Sequence, residues 1–121
     1  MGIPVLICDD SSMARKQVFR SLPEGWDVDI EYAANGAEGI NAIRGGKGEM
    51  VFLDLTMPEM DGYEVLKAIK DENLKCMVIV ISGDIQPEAR ERVLGLGALD
   101  FIKKPISKDK LAAVLQTYGL M

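Results

Sequence analysis

Five short apolar runs alternate with five amphipathic segments along this chain, and this alternation constrains the fold more than any other feature. The runs at residues 50–53 and 76–81 are apolar throughout, which is typical of strands buried on both faces of a sheet. Alternation with short connections predicts a parallel sheet with right-handed crossovers and helices on both faces. The sequence therefore predicts an α/β, doubly wound, five-stranded single domain over residues 1–121.

The predicted strands and helices follow from periodicity and from local stop signals. The strand at 26–33 alternates only in part, which predicts an edge position. Several helices begin at a capping serine (Ser11 or Ser12, then Ser107) or at a first-turn proline, Pro87. The predicted strands are residues 3–8, 26–33, 50–53, 76–81 and 99–102, and the helices run from the first caps to about 22, then 37–44, 63–70, 87–96 and 108–118. Their predicted inward residues include Met13, Val18, Phe19 and Leu22 in the first helix, Val65, Leu66 and Ile69 in the third, and Leu111, Val114 and Leu115 in the last.

Composition and charge exclude several classes of function. With 19 acidic and 14 basic residues the net charge is -5, so we expect no direct nucleic-acid binding. No apolar run approaches the roughly 20 residues that a membrane span requires, and no signal-peptide pattern precedes the first strand. We therefore expect no membrane insertion and a cytoplasmic location. Cys8 and Cys76 lie in or beside apolar runs, which favours small buried hydrophobes in a reducing compartment.

Polar side chains follow four of the predicted strands. Asp9 and Asp10 follow the first strand, Asp54 the third, Ser82 the fourth, and Lys104 comes just after the fifth. Because parallel strands end on one rim of the sheet, these side chains are expected to converge. Three converging carboxylates repel one another, and a hard divalent cation would offset that repulsion. The chain has no histidine, so oxygen ligands and Mg²⁺ are favoured.

This set of residue types suits phosphoryl transfer. Asp54 would attack phosphorus, while Mg²⁺ and Lys104 stabilise charge on the equatorial oxygens and the Ser82 hydroxyl donates to one of them. Each residue alone also has an ordinary explanation: a helix cap at Asp9-Asp10, a turn at Ser82, a solvated pair at Lys103-Lys104. Their joint occurrence, each after its own strand, favours the site.

The same residues give the chain a close resemblance to a known family. It resembles, over essentially its whole length, the receiver domain of two-component response regulators (CheY-like). The resemblance implies a flavodoxin-like (βα)5 fold with strand order 2-1-3-4-5. Under that order Cys8 and Cys76 lie on non-adjacent strands, so no disulfide is expected between them. The matching pieces are Asp9-Asp10-Ser11, Asp54-Leu55-Thr56-Met57-Pro58-Glu59-Met60-Asp61-Gly62, Ser82-Gly83, Gly97-Ala98 and Lys104-Pro105.

The resemblance also implies a role for each matching residue. The chain would not be a conventional enzyme, but would catalyse its own aspartate phosphorylation and autodephosphorylation. Mg²⁺ is the implied cofactor. The implied roles are Asp54 as phosphoacceptor, Asp10 as direct metal ligand, Asp9 as a ligand mainly through water, Thr56 as a ligand through its carbonyl, Lys104 as phosphate-binding lysine, Ser82 and Phe101 as switch residues, and Thr56 with Asp84 as determinants of phosphoryl lifetime.

The implied partners are a sensor histidine kinase as phosphodonor and a downstream protein or second receiver. The latter would bind the face formed by helix four, strand five and helix five. On that face Arg90, Lys103 and Lys108 are expected to meet an acidic partner.

Three alternatives come from other classes. A flavin carrier shares the fold class, but Asp9-Asp10 would repel the cofactor phosphate. A haloacid dehalogenase-type phosphatase also uses a strand-end aspartate, but it needs a second acid where this chain has Thr56. The chain can also be an excised N-terminal receiver of a longer multidomain regulator.

Overall fold

The computed structural model describes residues 2–83 and 86–121. Its five strands pair in parallel in the order β2-β1-β3-β4-β5, which confirms the predicted flavodoxin-like topology. The strands are β1 (Ile3–Cys8), β2 (Val28–Ala33), β3 (Met50–Leu53), β4 (Met77–Ser82) and β5 (Asp100–Lys103), and the helices are α1 (Ser12–Ser21), α2 (Gly36–Arg44), α3 (Gly62–Asp71), α4 (Pro87–Gly95) and α5 (Lys108–Thr117).

Two apolar layers sandwich the sheet because successive strand side chains point to opposite faces. In β3, Val51 and Leu53 face the layer covered by α2, α3 and α4, while Met50 and Phe52 face α1 and α5. All four residues are buried, as the uninterrupted apolar run predicts. β3 is therefore the buried central strand, and its carboxyl end lies at the rim of the sheet.

Side-chain caps fix where the helices begin. Ser11, rather than Ser12, caps α1 by accepting the Ala14 N–H. Asp61 and Glu64 form a reciprocal capping box at α3. Ser107 caps α5, and Pro87 occupies the first turn of α4. None of the helices in the described parts of the chain combines the length and apolar character needed to cross a membrane.

The predicted apolar side of α1 is wrong at two positions. Met13 is 71% exposed and Phe19 is 49% exposed, whereas Val18 and Leu22 are buried. At about 100° per residue, Met13 and Phe19 lie roughly 140° and 100° around the helix from Val18. Only the narrow row that includes Val18 faces the sheet, so apolar character alone did not predict burial here.

Strand boundaries differ from the predicted ones by one or two residues. β2 begins at Val28 rather than at residue 26, and β4 and β5 are each shifted one residue toward the C-terminus. Trp26 lies before the strand, where its backbone N–H donates to the Pro23 carbonyl oxygen at 3.3 Å and its indole N–H donates to the Leu120 carbonyl oxygen at 3.1 Å. The edge position predicted for β2 is confirmed.

Both cysteines are free thiols; Cys8 ends β1, and Cys76 precedes β4, a strand that is not next to β1 in the sheet. Cys8 is buried as predicted, and Cys76 is only half-buried just before β4. Burial, with the nearby charges of Asp9 and Asp54, raises the pKa of the Cys8 thiol to about 12. Burial also raises the pKa of Cys76. The absence of a disulfide agrees with the prediction from strand order.

We expect the native protein at pH 8 to be alkylated by iodoacetamide at Cys76 and not at Cys8. The thiolate fraction of Cys8 at this pH is about a thousandfold smaller than that of an ordinary thiol, because its pKa is about 12 against 9.0. Timed mass spectrometry of digests measures both rates. Cys76→Ser should leave the folded chain unlabelled, whereas denaturant should expose Cys8. Equal labelling of both cysteines in the folded chain would contradict the burial of Cys8.

Candidate functional site

The sheet places two aspartates side by side at its carboxyl rim. The Asp9 N–H donates to the Ala33 carbonyl at 3.0 Å, and the Asp54 N–H donates to the Cys8 carbonyl at 2.9 Å. These bonds extend the strand ladders by one residue beyond β1 and β3. The backbone of both aspartates is therefore held in place by hydrogen bonds of the sheet, although both residues lie just beyond the strands.

Three carboxylates converge at this rim, as the strand ends predict. Oxygen atoms of Asp9, Asp10 and Asp54 all lie within 4.8 Å of one another. Asp9 and Asp54 are buried, while Asp10 is exposed. Hard oxygen donors at this spacing, on the wall of an open pocket, fit a cation such as Mg²⁺, which keeps waters and takes few protein ligands.

Lys104 supplies positive charge to the buried pair. Its Nζ lies 3.0 Å from Oδ2 of Asp9 and 3.4 Å from Oδ1 of Asp54. The sequence indicated either Asp54 or a phosphoryl oxygen as the partner of Lys104, and it did not predict the shorter contact with Asp9. The Lys104 backbone N–H donates to the Ser82 carbonyl at 2.8 Å, so the end of β4 positions the lysine. The Lys104–Pro105 peptide bond is cis.

The charges at the site are incompletely balanced. Burial raises the pKa of Asp54, the Asp9 charge raises it further, and Lys104 offsets only part of this. Burial alone would lower the pKa of Lys104, but its bonds to Asp9 and the charge of Asp54 raise that pKa overall. The single ammonium of Lys104 therefore does not neutralise the combined negative charge of Asp9 and Asp54.

The cluster opens into a pocket of about 520 Å³. A side chain added at Gly83 would meet nothing within 4 Å, so this side of the pocket is open to a bulky molecule. Thr56 is exposed on the opposite loop. The lining residues are Asp9, Asp10, Ser11, Asp54, Thr56, Gly83 and Lys104.

The loop after β3 is held close to Asp54 by a glycine. The Gly62 N–H donates to the Leu55 carbonyl at 3.0 Å. A Cβ at Gly62 would collide with the Asp54 carbonyl oxygen and would lie 2.8 Å from the Leu55 Cα. The start of α3 can therefore pack directly on the end of β3 only because residue 62 has no side chain.

Comparison with known proteins decides the family. Residues 5–116 match the family model of the response regulator receiver domain. The chain belongs to this family.

Known proteins similar to this receiver domain include enzymes and regulators. Protein-glutamate methylesterase/protein-glutamine glutaminase 3 of Geobacter sulfurreducens is 40% identical over 104 residues, covering 85% of this chain and 28% of that protein. The cell cycle response regulator CtrA of Brucella ovis is 36% identical over 110 residues, covering 90% of this chain and 46% of that protein. The chain thus spans less than half of either relative.

Among solved structures, the CheX-CheY-BeF3-Mg²⁺ complex from Borrelia burgdorferi is similar with a TM-score of 0.86 and 31% sequence identity. That match covers 97% of this chain and 89% of the other. The phosphatase alternative is not favoured by these relatives. The flavin alternative is disfavoured by the carboxylates that follow β1.

The receiver domain does not bring every predicted residue into the pocket. Ser82 is buried at the end of β4 and is not among the residues that line the pocket. Phe101 is half-buried against the layer that contains α2, α3 and α4. Asp84, predicted to influence lifetime, lies outside the described residues.

Sequence reasoning missed two neighbours of Asp9. The Ser11 N–H donates to the Asp9 carboxylate at 3.0 Å, and the Arg15 guanidinium donates to the Asp9 carbonyl at 2.7 Å. The spacing along the chain could have indicated both contacts, because Ser11 caps α1 directly after Asp9-Asp10 and Arg15 lies one turn further along the same helix. Both contacts stabilise the position of Asp9 at the receiver's rim.

Proposed function

We propose that this receiver domain accepts a phosphoryl group on Asp54 from a sensor histidine kinase, in a Mg²⁺-dependent reaction. The observation that carries the proposal is the position of Asp54. Its carboxylate is buried at the pocket wall, 3.4 Å from Lys104 and within 4.8 Å of the oxygens of Asp9 and Asp10. A nucleophile, a cation site and the Lys104 ammonium thus meet beside open space for a donor.

The reaction follows from these positions. An Asp54 oxygen forms a bond to phosphorus as the bond from phosphorus to the donor's imidazole nitrogen breaks, and the imidazole leaves with that electron pair. Lys104 would move from the carboxylates to a phosphoryl oxygen. When bound, Mg²⁺ would supply positive charge to the transferring oxygens. The residues proposed to hold it are Asp9, mainly through water, Asp10, Asp54 and the carbonyl of Thr56.

The phosphoryl group would then act on Ser82 and Phe101. It adds about 1.5 to 2 negative charges and three acceptor oxygens at the rim. The Ser82 hydroxyl would donate to one of these oxygens, making room for the Phe101 ring to turn inward. Burying the ring is worth about 1 to 3 kcal/mol, enough to shift a two-state equilibrium by about fivefold to more than a hundredfold.

The face formed by α4, β5 and α5 would carry this change to a downstream protein or to a second receiver. Two of the basic residues expected to meet an acidic partner are engaged within the chain. Arg90 lies 3.2 Å from Asp100, and Lys108 lies 3.9 Å from Glu24. The negative charges of Asp100 and Glu24 therefore offset part of the positive charge of these two residues.

Phosphoryl lifetime and cellular context complete the proposal. As the resemblance to receiver domains implies, Thr56, which lines the pocket, and Asp84 would set the rate of autodephosphorylation. We place the protein in the cytoplasm, with residues 1–121 acting as one receiver domain. Any output domain would act through the same switching face.

A small phosphodonor tests the proposal directly. In the presence of Mg²⁺ and acetyl phosphate, the intact mass should rise by one phosphoryl group, because Asp54, Lys104 and the residues proposed to hold Mg²⁺ line one pocket. The matched sample contains EDTA in place of Mg²⁺ and should show little uptake. Uptake that is indifferent to EDTA, or stable in mild alkali where acyl phosphates hydrolyse, would refute the mechanism.

A further inference from the structure

Three side chains from separate elements meet at the β5 edge of the sheet. They are Arg90 of α4, Asp100 of β5, and Tyr118 at the C-terminal end of α5, which we call the edge cluster. Arg90 Nη1 lies 3.2 Å from Oδ1 of Asp100, and the Tyr118 hydroxyl lies 3.2 Å from Oδ2. The proposed switching face is thus cross-linked by side chains from all three of its elements.

Asp100 is the centre of this cluster. Its side chain is only 16% exposed, and it also accepts the Phe101 N–H at 2.7 Å. Arg90 Nη1 in turn lies 3.5 Å from the Phe101 carbonyl oxygen. Both backbone polar groups of Phe101 are therefore bonded to the edge cluster.

The edge cluster is one of the contacts that hold α4 in place; another is Arg92, whose guanidinium lies 3.8 Å from the centre of the Tyr63 ring in α3. Within α4, Ala89 and Val93 are buried, while most of the helix is exposed. In the described sheet β5 pairs with β4 alone. Burial, the hydrogen bond to Asp100 and its charge raise the Tyr118 pKa, so this hydroxyl stays a neutral donor at neutral pH.

We propose that the edge cluster holds Phe101 in its half-buried position while Asp54 is unphosphorylated, which makes Arg90, Asp100 and Tyr118 positioning residues of the switch. The inference rests on the proposed function, in which Phe101 turns inward after phosphorylation. Contacts made in only one of two states favour that state, so weakening them shifts the population toward the other. Loss of the edge cluster should therefore mimic part of the effect of phosphorylation.

Fluorine NMR can follow Phe101 directly. The chain has three phenylalanines, so protein labelled with 4-fluorophenylalanine gives three resonances, and Phe101→Leu identifies that of Phe101. The wild-type resonance should move when beryllofluoride and Mg²⁺ are added. Without them, Asp100→Asn and Tyr118→Phe should raise the inward population about two- to fivefold, the range expected for one partly exposed pair.

The variants differ in what they remove. Tyr118→Phe deletes one exposed hydroxyl and should fold normally, and Asp100→Asn keeps an acceptor for the Phe101 N–H. Glu72→Gln breaks the exposed Arg44–Glu72 ion pair elsewhere and should leave the Phe101 resonance unchanged.

The possible outcomes separate the role of the edge cluster from the proposed inward turn of Phe101. A wild-type resonance that responds to beryllofluoride, with both edge variants identical to wild type, would overturn the role of the edge cluster and leave the switch intact. A wild-type Phe101 resonance that ignores beryllofluoride would overturn the switch and this inference together.

Discussion

Asp54→Asn is expected to abolish phosphoryl uptake and to make the metal-free protein more stable. The amide is close in shape to the carboxylate, but its oxygen is a poor nucleophile, so uptake should fall below about 1% of the wild-type level. Stability should rise because burial and the Asp9 charge both disfavour the ionised Asp54. Lys104 also lies 3.0 Å from Asp9, so its ammonium would still have a carboxylate partner in this variant.

The expected gain is roughly 1 kcal/mol, or about 3 to 6 °C in Tm, when measured in EDTA. Intact mass after reaction with acetyl phosphate, and thermal unfolding with and without Mg²⁺, give both results. Mg²⁺ should reduce the difference in Tm between Asp54→Asn and the wild type, because it should stabilise the wild type more. The matched control Asp71→Asn alters an exposed aspartate at the end of α3 and should change neither property. Full uptake by Asp54→Asn would place the phosphoacceptor elsewhere.

Phe52→Ala is expected to lower the free energy of unfolding by about 3 to 5 kcal/mol. Phe52 is 1% exposed in the layer beneath α1 and α5, so truncation removes buried area and leaves a cavity. Denaturant unfolding of both proteins measures the difference. A loss of this size is a large fraction of the stability of a domain of 121 residues.

Phe19→Ala is the matched control because it makes the same chemical change on a side chain that is 49% exposed. It should cost less than about 1 kcal/mol. If Phe19→Ala were as destabilising as Phe52→Ala, α1 would be packed as its apolar pattern predicted and not as the structure shows. The pair therefore tests the one helix face that sequence periodicity predicted wrongly.

The carboxylate cluster was predictable because it depends only on the direction of the strands. Once the chain is divided into alternating strands and helices, parallel pairing forces Asp9 and Asp54 to the same rim. Lys104 follows for the same reason, being the first residue beyond β5. Which carboxylate the lysine approaches most closely was not predictable, since that depends on the reach of a flexible side chain across the sheet.

The contacts of Arg15 and of the edge cluster could not be predicted in this way. Arg90, Asp100 and Tyr118 are on different elements, and nothing in their spacing along the chain indicates that they meet. Their meeting depends on how far α4 and α5 lie over the edge of β5. Such distances are set by the packing of whole layers.

The order of elements, the parallel sheet, the family and the identity of the residues at the rim were all predictable from the sequence. The sequence could predict these features because local apolar runs indicate buried strands, and the polar residue after each run marks the carboxyl end of that strand. The exposure of Met13 and Phe19, the Asp9–Lys104 contact and the edge cluster around Phe101 became visible only in the three-dimensional structure. These depend on the angle and depth at which helices dock on the sheet, which result from many weak contacts summed over the whole fold.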